Sequence, residues 1–101
     1  MTHYSVVSVT PRSDSWIPAY LSAVGPLVEK HGGRYLARTA SHQSLEGSGP
    51  APALQVILEW PSKGAEAAFY ADPGYRDHLA ARLNGSESAW SSIEGKDDFA
   101  S

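Results

Sequence analysis

The sequence predicts an α+β chain of the ferredoxin-like kind: a βαββαβ sandwich, its four-stranded antiparallel sheet covered by helices on one face. Three observations carry that prediction. Two β-branched runs, His3–Val9 and Leu54–Trp60, are each followed by a stretch of helical periodicity. His31-Gly32-Gly33-Arg34 reads as a helix stop running straight into a strand, because glycine enters the left-handed backbone region at no steric cost. Gly47-Ser48-Gly49-Pro50-Ala51-Pro52 is a loop, and it divides the middle of the chain into two successive strands.

The elements follow in order. HYSVVSV, residues His3 to Val9, is the first strand, bounded by Thr10-Pro11. Ser13 or Asp14 can cap the next segment, where Trp16, Ile17, Tyr20, Leu21, Val24, Leu27, Val28 and His31 recur at three- and four-residue spacing. That is an amphipathic helix with a broad apolar face. Pro26 lies inside it, lacks a backbone donor and crowds the carbonyl of Ser22, which predicts a kink. The apolar phase continues through the proline, so one helix is expected. Arg34 to Thr39 is the second strand, with a polar extension toward Leu45. LQVILEW, Leu54 to Trp60, is the strongest strand and is closed by Pro61. Ser62 caps a helix to about Ala71, and Asp72-Pro73 restarts a short one with Tyr75, Leu79 and Leu83 on its apolar side. Asn84-Gly85 stops that helix. Ser88 to Glu94 is the last strand, anchored by Trp90 and Ile93. Residues 1–95 form one domain on this reading, and 96–101 form a polar tail.

In such a topology the first and third strands are central, and these two are the most apolar. Val56-Ile57-Leu58 places apolar side chains on both faces of the third strand, so the face away from the helices should also be covered. The sheet of a second copy is the simplest cover. A homodimer through sheet faces is therefore expected.

Composition narrows the function. The 101 residues carry 8 Lys and Arg against 11 Asp and Glu, a net charge of −3, with no block of one sign. A nucleic-acid surface should be basic, so nucleic acid is not an expected partner. There is no cysteine, which removes disulfides, thiolate nucleophiles and cysteine metal sites. No apolar run approaches a membrane span, and no charged region followed by an apolar run opens the chain. A cytoplasmic protein without membrane association is the expectation.

Ala19-Tyr20, Pro26, His31-Gly32-Gly33-Arg34-Tyr35-Leu36-Ala37-Arg38, Leu45-Glu46-Gly47, Val56-Ile57-Leu58-Glu59-Trp60-Pro61-Ser62, Ala67-Ala68-Phe69-Tyr70, Asp72-Pro73 and Tyr75 occur in this order. Together they resemble the domain of unknown function 1330 family, within the dimeric α/β-barrel superfamily, over roughly Tyr4 to Ile93. One departure is Asp72-Pro73-Gly74-Tyr75, where a Ser-Pro-Glu-Tyr-like run would match better. The resemblance implies the fold and dimerisation. It implies no single reaction, because that superfamily includes cofactor-free monooxygenases, isomerases, cyclases, haem enzymes and members without known activity.

Several side chains could carry chemistry. Arg34 and Arg38 share strand parity with Leu36, so all three are expected on one face, where the arginines could grip a carboxylate or enolate. The plainer reading has each at a strand end, paired with Glu46 or Glu59 or reaching solvent. Of His3, His31, His42 and His78, His42 is the candidate acid–base group, in a polar segment able to overhang a cavity. A solvated loop histidine is the plainer alternative. Glu59, in the most apolar strand, is either a buried acid suited to proton transfer or one half of an ion pair. Trp60, Phe69, Tyr70 and Tyr75 either line a pocket for a flat ligand or simply build the core.

No histidine pair has metal-ligand spacing, and no single histidine stands out for haem. Ser15, Ser22 and Ser62 lack a nucleophile-elbow context, and the glycine loop lacks a following Lys-Ser/Thr. No cofactor is expected. The reading reached is a cofactor-independent enzyme of isomerase, cyclase or monooxygenase type, acting on an oxygenated metabolite of aromatic or polyketide-like kind. Arg38, Glu59 and His42 are its candidate catalytic residues, with Trp60, Phe69, Tyr70 and Tyr75 binding substrate. The alternatives are a ligand-binding dimer without turnover and a structural or stress-related protein without a site.

Overall fold

In the computed structural model, which describes residues 1–100, strands and helices alternate as β1 (His3–Pro11), α1 (Ile17–Lys30), β2 (Arg34–Thr39), β3 (Leu54–Trp60), α2 (Lys63–Tyr70), α3 (Arg76–Gly85) and β4 (Ser86–Glu94). The sheet order is β2-β3-β1-β4, and every neighbouring pair is antiparallel. This is the ferredoxin-like α+β arrangement, with β1 and β3 central as their apolar content requires.

Alternation sorts the strands into an inner and an outer face. His3, Ser5, Val7 and Val9 of β1 and Val56, Leu58 and Trp60 of β3 are buried on the inner face. Val24 and Val28 of α1, Phe69 of α2 and Tyr75 pack onto them. Trp60, Phe69 and Tyr75 are fully enclosed, with ring centroids 5.1 Å apart for Trp60–Phe69 and 4.5 Å for Phe69–Tyr75. On the outer face Val6 and Ile57 are direct cross-strand partners, each 40% exposed.

The glycine turn after α1 answers two separate demands. Gly32 has φ +80°, and its N–H and that of Gly33 close onto the carbonyls of Glu29 and Val28 at 3.0 and 2.9 Å. Gly33 is needed for space, because a Cβ there would sit 2.6 Å from the Trp60 ring.

Several expected details are corrected. Ser13 and Asp14 do not cap α1 with their side chains; Trp16 holds the cap position, and the Asp14 carbonyl accepts from Ile17 N–H at 3.1 Å. The single helix expected through Pro26 is found, with the proline inside α1. β2 ends at Thr39, and residues 40–53 are irregular rather than a prolonged strand. Pro73 does not start α3: the Asp72 carboxylate accepts from Gly74 N–H at 2.8 Å and holds a turn that delays the helix to Arg76. The inward face of α3 also differs from the one expected. Leu83 is 53% exposed, whereas Arg82 is only 2% exposed and continues the inward line of Tyr75 and Leu79. β4 begins at Ser86, and Trp90 is its core anchor while Ile93 lies exposed on the outer face.

β2 carries the correction of greatest consequence. Its register against β3 runs Arg34–Glu59, Tyr35–Leu58, then Ala37–Ile57 and Arg38–Val56, so Leu36 is an inserted bulge residue. The insertion reverses the parity expected for Arg38. Arg34 lies on the outer face, and Arg38 lies on the inner one with Val56.

Candidate functional site

Between α1 and the inner face of the sheet is a cavity of about 100 Å³. Its walls include Val7, Val9, Val24, Val56 and Leu58, with Trp16 and Trp90 toward the β4 side. The alternation of β1 and β3 supplies the floor, and the 3.6-residue period of α1 supplies the roof. Two charged residues line it: Arg38 from edge strand β2, and Arg82 from α3 beside the opposite edge strand β4. Among the described residues, no Asp or Glu lines it.

Arg82 is the more enclosed of the two. Its Nη1 donates to Ser88 Oγ of β4, and its guanidinium lies 5.5 Å from the centroid of the Trp90 ring. Its Nε and Nη2 are buried without a hydrogen-bond partner among the described residues. Tyr20 and Tyr75 stand beside it, their hydroxyls 2.8 Å apart. Burial pushes the Tyr20 phenol well above its ordinary 10.0, Tyr75 adds to the rise, and Arg82 pulls against it. Arg38 is exposed and stacks on the Tyr35 ring at 4.1 Å; burial raises Tyr35, with Arg38 opposing. Both phenols therefore stay protonated at neutral pH and can donate hydrogen bonds. The arrangement can hold an apolar body and meet negative charge on oxygen at either end.

A second polar cluster lies on the other side of Trp90. Glu66 of α2 is buried and accepts from Ser5 Oγ, Ser92 Oγ and, at 3.1 Å, the indole N–H of Trp90. His3 Nε2 lies 2.6 Å from Ser92 Oγ, and Trp60 N–H donates to Ser5 Oγ at 2.8 Å.

Of the residues singled out from the sequence as site candidates, Arg38 alone lines the cavity beneath α1. Glu59 lies on the outer face, where its Oε1 accepts from Arg34 Nε at 2.9 Å. His42 sits in the irregular segment after β2, away from the cavity wall. Trp60, Phe69 and Tyr75 pack as tilted rings in the core rather than as a pocket wall, and Tyr70 borders a surface depression with Glu66, Trp90 and Ser92. The structure does not bring Arg38, Glu59 and His42 together. The residues missed were Arg82, Tyr20, Tyr35 and Trp90. For Arg82 a signal existed: it falls seven residues after Tyr75 and three after Leu79, an inward position for a helix carrying those two.

The family described as "Domain of unknown function (DUF1330)" matches residues 2–96. No curated protein is significantly similar in sequence. Among solved structures, a protein of unknown function from Rhodopseudomonas palustris superposes with a TM-score of 0.78 at 20% identity, covering 95% of this chain and 83% of its own. SnoaB, a cofactor-independent oxygenase from Streptomyces nogalater, gives 0.64 at 14% identity, covering 99% and 98%. A dimeric ferredoxin-like protein of unknown function from Jannaschia sp. CCS1 gives 0.63 at 11% identity, covering 93% and 99%. At these identities the likeness is one of fold.

Proposed function

The chain belongs to the DUF1330 family, and from that premise we propose that it is a cofactor-independent enzyme that binds a small oxygenated metabolite between α1 and the sheet. The observation that carries this reading is an apolar cavity bounded by two arginines and no acidic side chain among the described residues. A carbonyl, enol or carboxylate oxygen seated there meets guanidinium charge in a water-poor setting, where such contacts are strongest. Arg38, at the exposed edge where solvent reaches, stabilises the enolate left when a water molecule takes the substrate's α-proton. The Tyr20 hydroxyl in the cavity wall can hydrogen-bond its oxygen, and solvent returns a proton to carbon as the product forms. Isomerisation, cyclisation and reaction of an enolate with oxygen all pass through such an ion. The shared fold with a cofactor-independent oxygenase supports this class of chemistry, at the level of fold alone.

The active form on this reading is a homodimer joined through the outer sheet faces. Val6, Ile57, Ile93 and the bulged Leu36 leave apolar surface there, and a fold neighbour is dimeric. One observation favours a second reading, a binding dimer without turnover: no histidine or carboxylate lines the cavity to act as a base.

The test uses a panel of small enolisable ketones and phenols, with binding followed by calorimetry and turnover by proton exchange in D₂O and oxygen uptake. Leu21 is exposed and borders the cavity, so Leu21→Trp should close the entrance and remove both binding and turnover. Binding without exchange or oxygen uptake selects the second reading. Turnover that survives Leu21→Trp overturns the first.

A further inference from the structure

We propose that the Nε–Nη2 edge of Arg82 seats the carboxylate of a small monocarboxylic acid whose apolar body fills the cavity beneath α1. This rests on the reading of that cavity as a small-molecule site and names the class of molecule it takes.

The first argument is charge. A guanidinium keeps its proton at any working pH, and a buried charge is ordinarily paired. Arg82 is 2% exposed, yet among the described residues it faces only neutral partners. Nη1 donates to the Ser88 hydroxyl, the Tyr20 and Tyr75 hydroxyls stand close enough to favour its charge, and Nε and Nη2 lack a partner of good hydrogen-bond geometry. The chain's own buried acids are already engaged. Glu66 is taken by Ser5, Ser92 and Trp90, and Asp72 by His31, Lys30 and the Gly74 amide. Among the described residues no carboxylate is free to pair with Arg82, which leaves its counter-charge to a bound ligand.

The second argument is shape. The Nε–H bond and one N–H of Nη2 point the same way from one edge of the planar group, at the separation of the two oxygens of a carboxylate. These are the two nitrogens left without a partner. A ketone or alcohol satisfies one of them and leaves the other buried and unmet, whereas a carboxylate satisfies both. Lysine could not present this edge.

The third argument is the remaining wall. Beyond the two arginines the lining is dominated by valine, leucine and aromatic side chains. A phosphate or sulfate, polar on every side, would lose its hydration there without recompense. The volume of about 100 Å³ is below the roughly 150 Å³ at which an apolar protein cavity takes benzene. The acid therefore has a single small ring or a short branched chain, and a polycyclic substrate does not fit. Arg38, exposed at the other edge, adds positive charge where such an anion enters.

The experiment compares isobutyrate, pivalate and cyclopropanecarboxylate with their primary amides, by calorimetry and thermal shift on the full chain. Each acid should bind about 10- to 100-fold more tightly than its amide. Arg82→Met should abolish that preference. Arg82→Lys keeps the charge but not the edge and should lose most of it, so the result does not hang on one variant. Arg76→Met makes the same change at an exposed position of α3 and should leave the preference intact. Acids and amides that bind equally, as they would if a trapped water met Arg82, overturn the proposal while leaving a small-molecule site in place. A preference that persists in Arg82→Lys and Arg82→Met overturns it too. If Leu21→Trp leaves both series binding unchanged, the cavity is not the site and the broader reading falls with it.

Discussion

The indole N–H of Trp60 donates to Ser5 Oγ at 2.8 Å, linking β3 to β1 on the inner face. The Ser5 hydroxyl is thereby turned to donate onward to Glu66, which also collects Ser92 and Trp90. One carboxylate on α2 thus ties that helix to β1 and β4. Glu66→Ala should strand these donors and cost about 3 kcal/mol, since unmet buried polar groups lose roughly 1–3 kcal/mol each. Glu66→Gln, which can still accept, should cost less. Urea denaturation ranks the two, and equal losses would show that volume rather than hydrogen bonding sets the cost.

Asp72 makes stability depend on pH. His31 Nε2 at 2.7 Å, the Gly74 amide at 2.8 Å and Lys30 Nζ at 3.0 Å, in that order of effect, hold its carboxyl well below the ordinary 3.8. The folded group therefore protonates at lower pH than the unfolded one. Its stabilisation is full above the ordinary carboxylate range and is lost as pH falls through that range toward the folded value. Urea midpoints measured between about pH 5 and pH 2 should fall more steeply for the natural chain than for Asp72→Asn. Parallel curves would refute the assignment.

Gly33 tests the join between α1 and β2. Adding a methyl group places it 2.6 Å from the buried Trp60 ring, which has no room to retreat. Gly33→Ala should cost about 1–3 kcal/mol, the usual range for overpacking. Near-UV circular dichroism should show the Trp60 environment changed, and an unaltered spectrum with unaltered stability would mean the turn simply opens.

Much of this fold can be read from residue patterns, because β1 and β3 alternate and the glycine turn is a local signal. Two failures of reading have physical causes. Counting by two along β2 puts Arg34 with Arg38, but the bulge at Leu36 spends one residue without a partner and turns Arg38 inward. Nothing local in Tyr35-Leu36-Ala37 marks that insertion; it is set by the pairing with β3. On α3, counting apolar residues selects Leu83. The helix is oriented instead by Tyr75 and Leu79, and their line continues through Arg82. A charged side chain is invisible to a hydrophobic count, which is why the best-placed polar group of the cavity escaped it.

That same burial makes Arg82 costly to the unliganded protein. Arg82→Met removes a buried charge that meets only neutral groups among the described residues, and loses the contacts with Ser88, Trp90 and the Tyr20 and Tyr75 hydroxyls. Desolvation of an unmatched ion outweighs a hydrogen bond to a neutral hydroxyl and a cation–π contact of about 0.5–2 kcal/mol, so the variant should be more stable by about 1–2 kcal/mol. A rise in melting temperature would mark a residue kept for function against stability. A large fall would mark Arg82 as a structural tie between α3 and β4.

The outer face supplies the last prediction. Val6 and Ile57 lie side by side at the centre of the sheet, each 40% exposed, in the two strands least able to leave apolar surface in water. If a second copy covers them, a charge at this point is buried against the same charge across a two-fold axis. Ile57→Lys should then yield a folded monomer by light scattering at concentrations where the natural chain is a dimer. Far-UV circular dichroism should be unchanged, because the side chain points away from the core. A natural chain that remains monomeric at every concentration would remove the dimer, and Ile57→Lys that stays dimeric would move the interface away from the sheet.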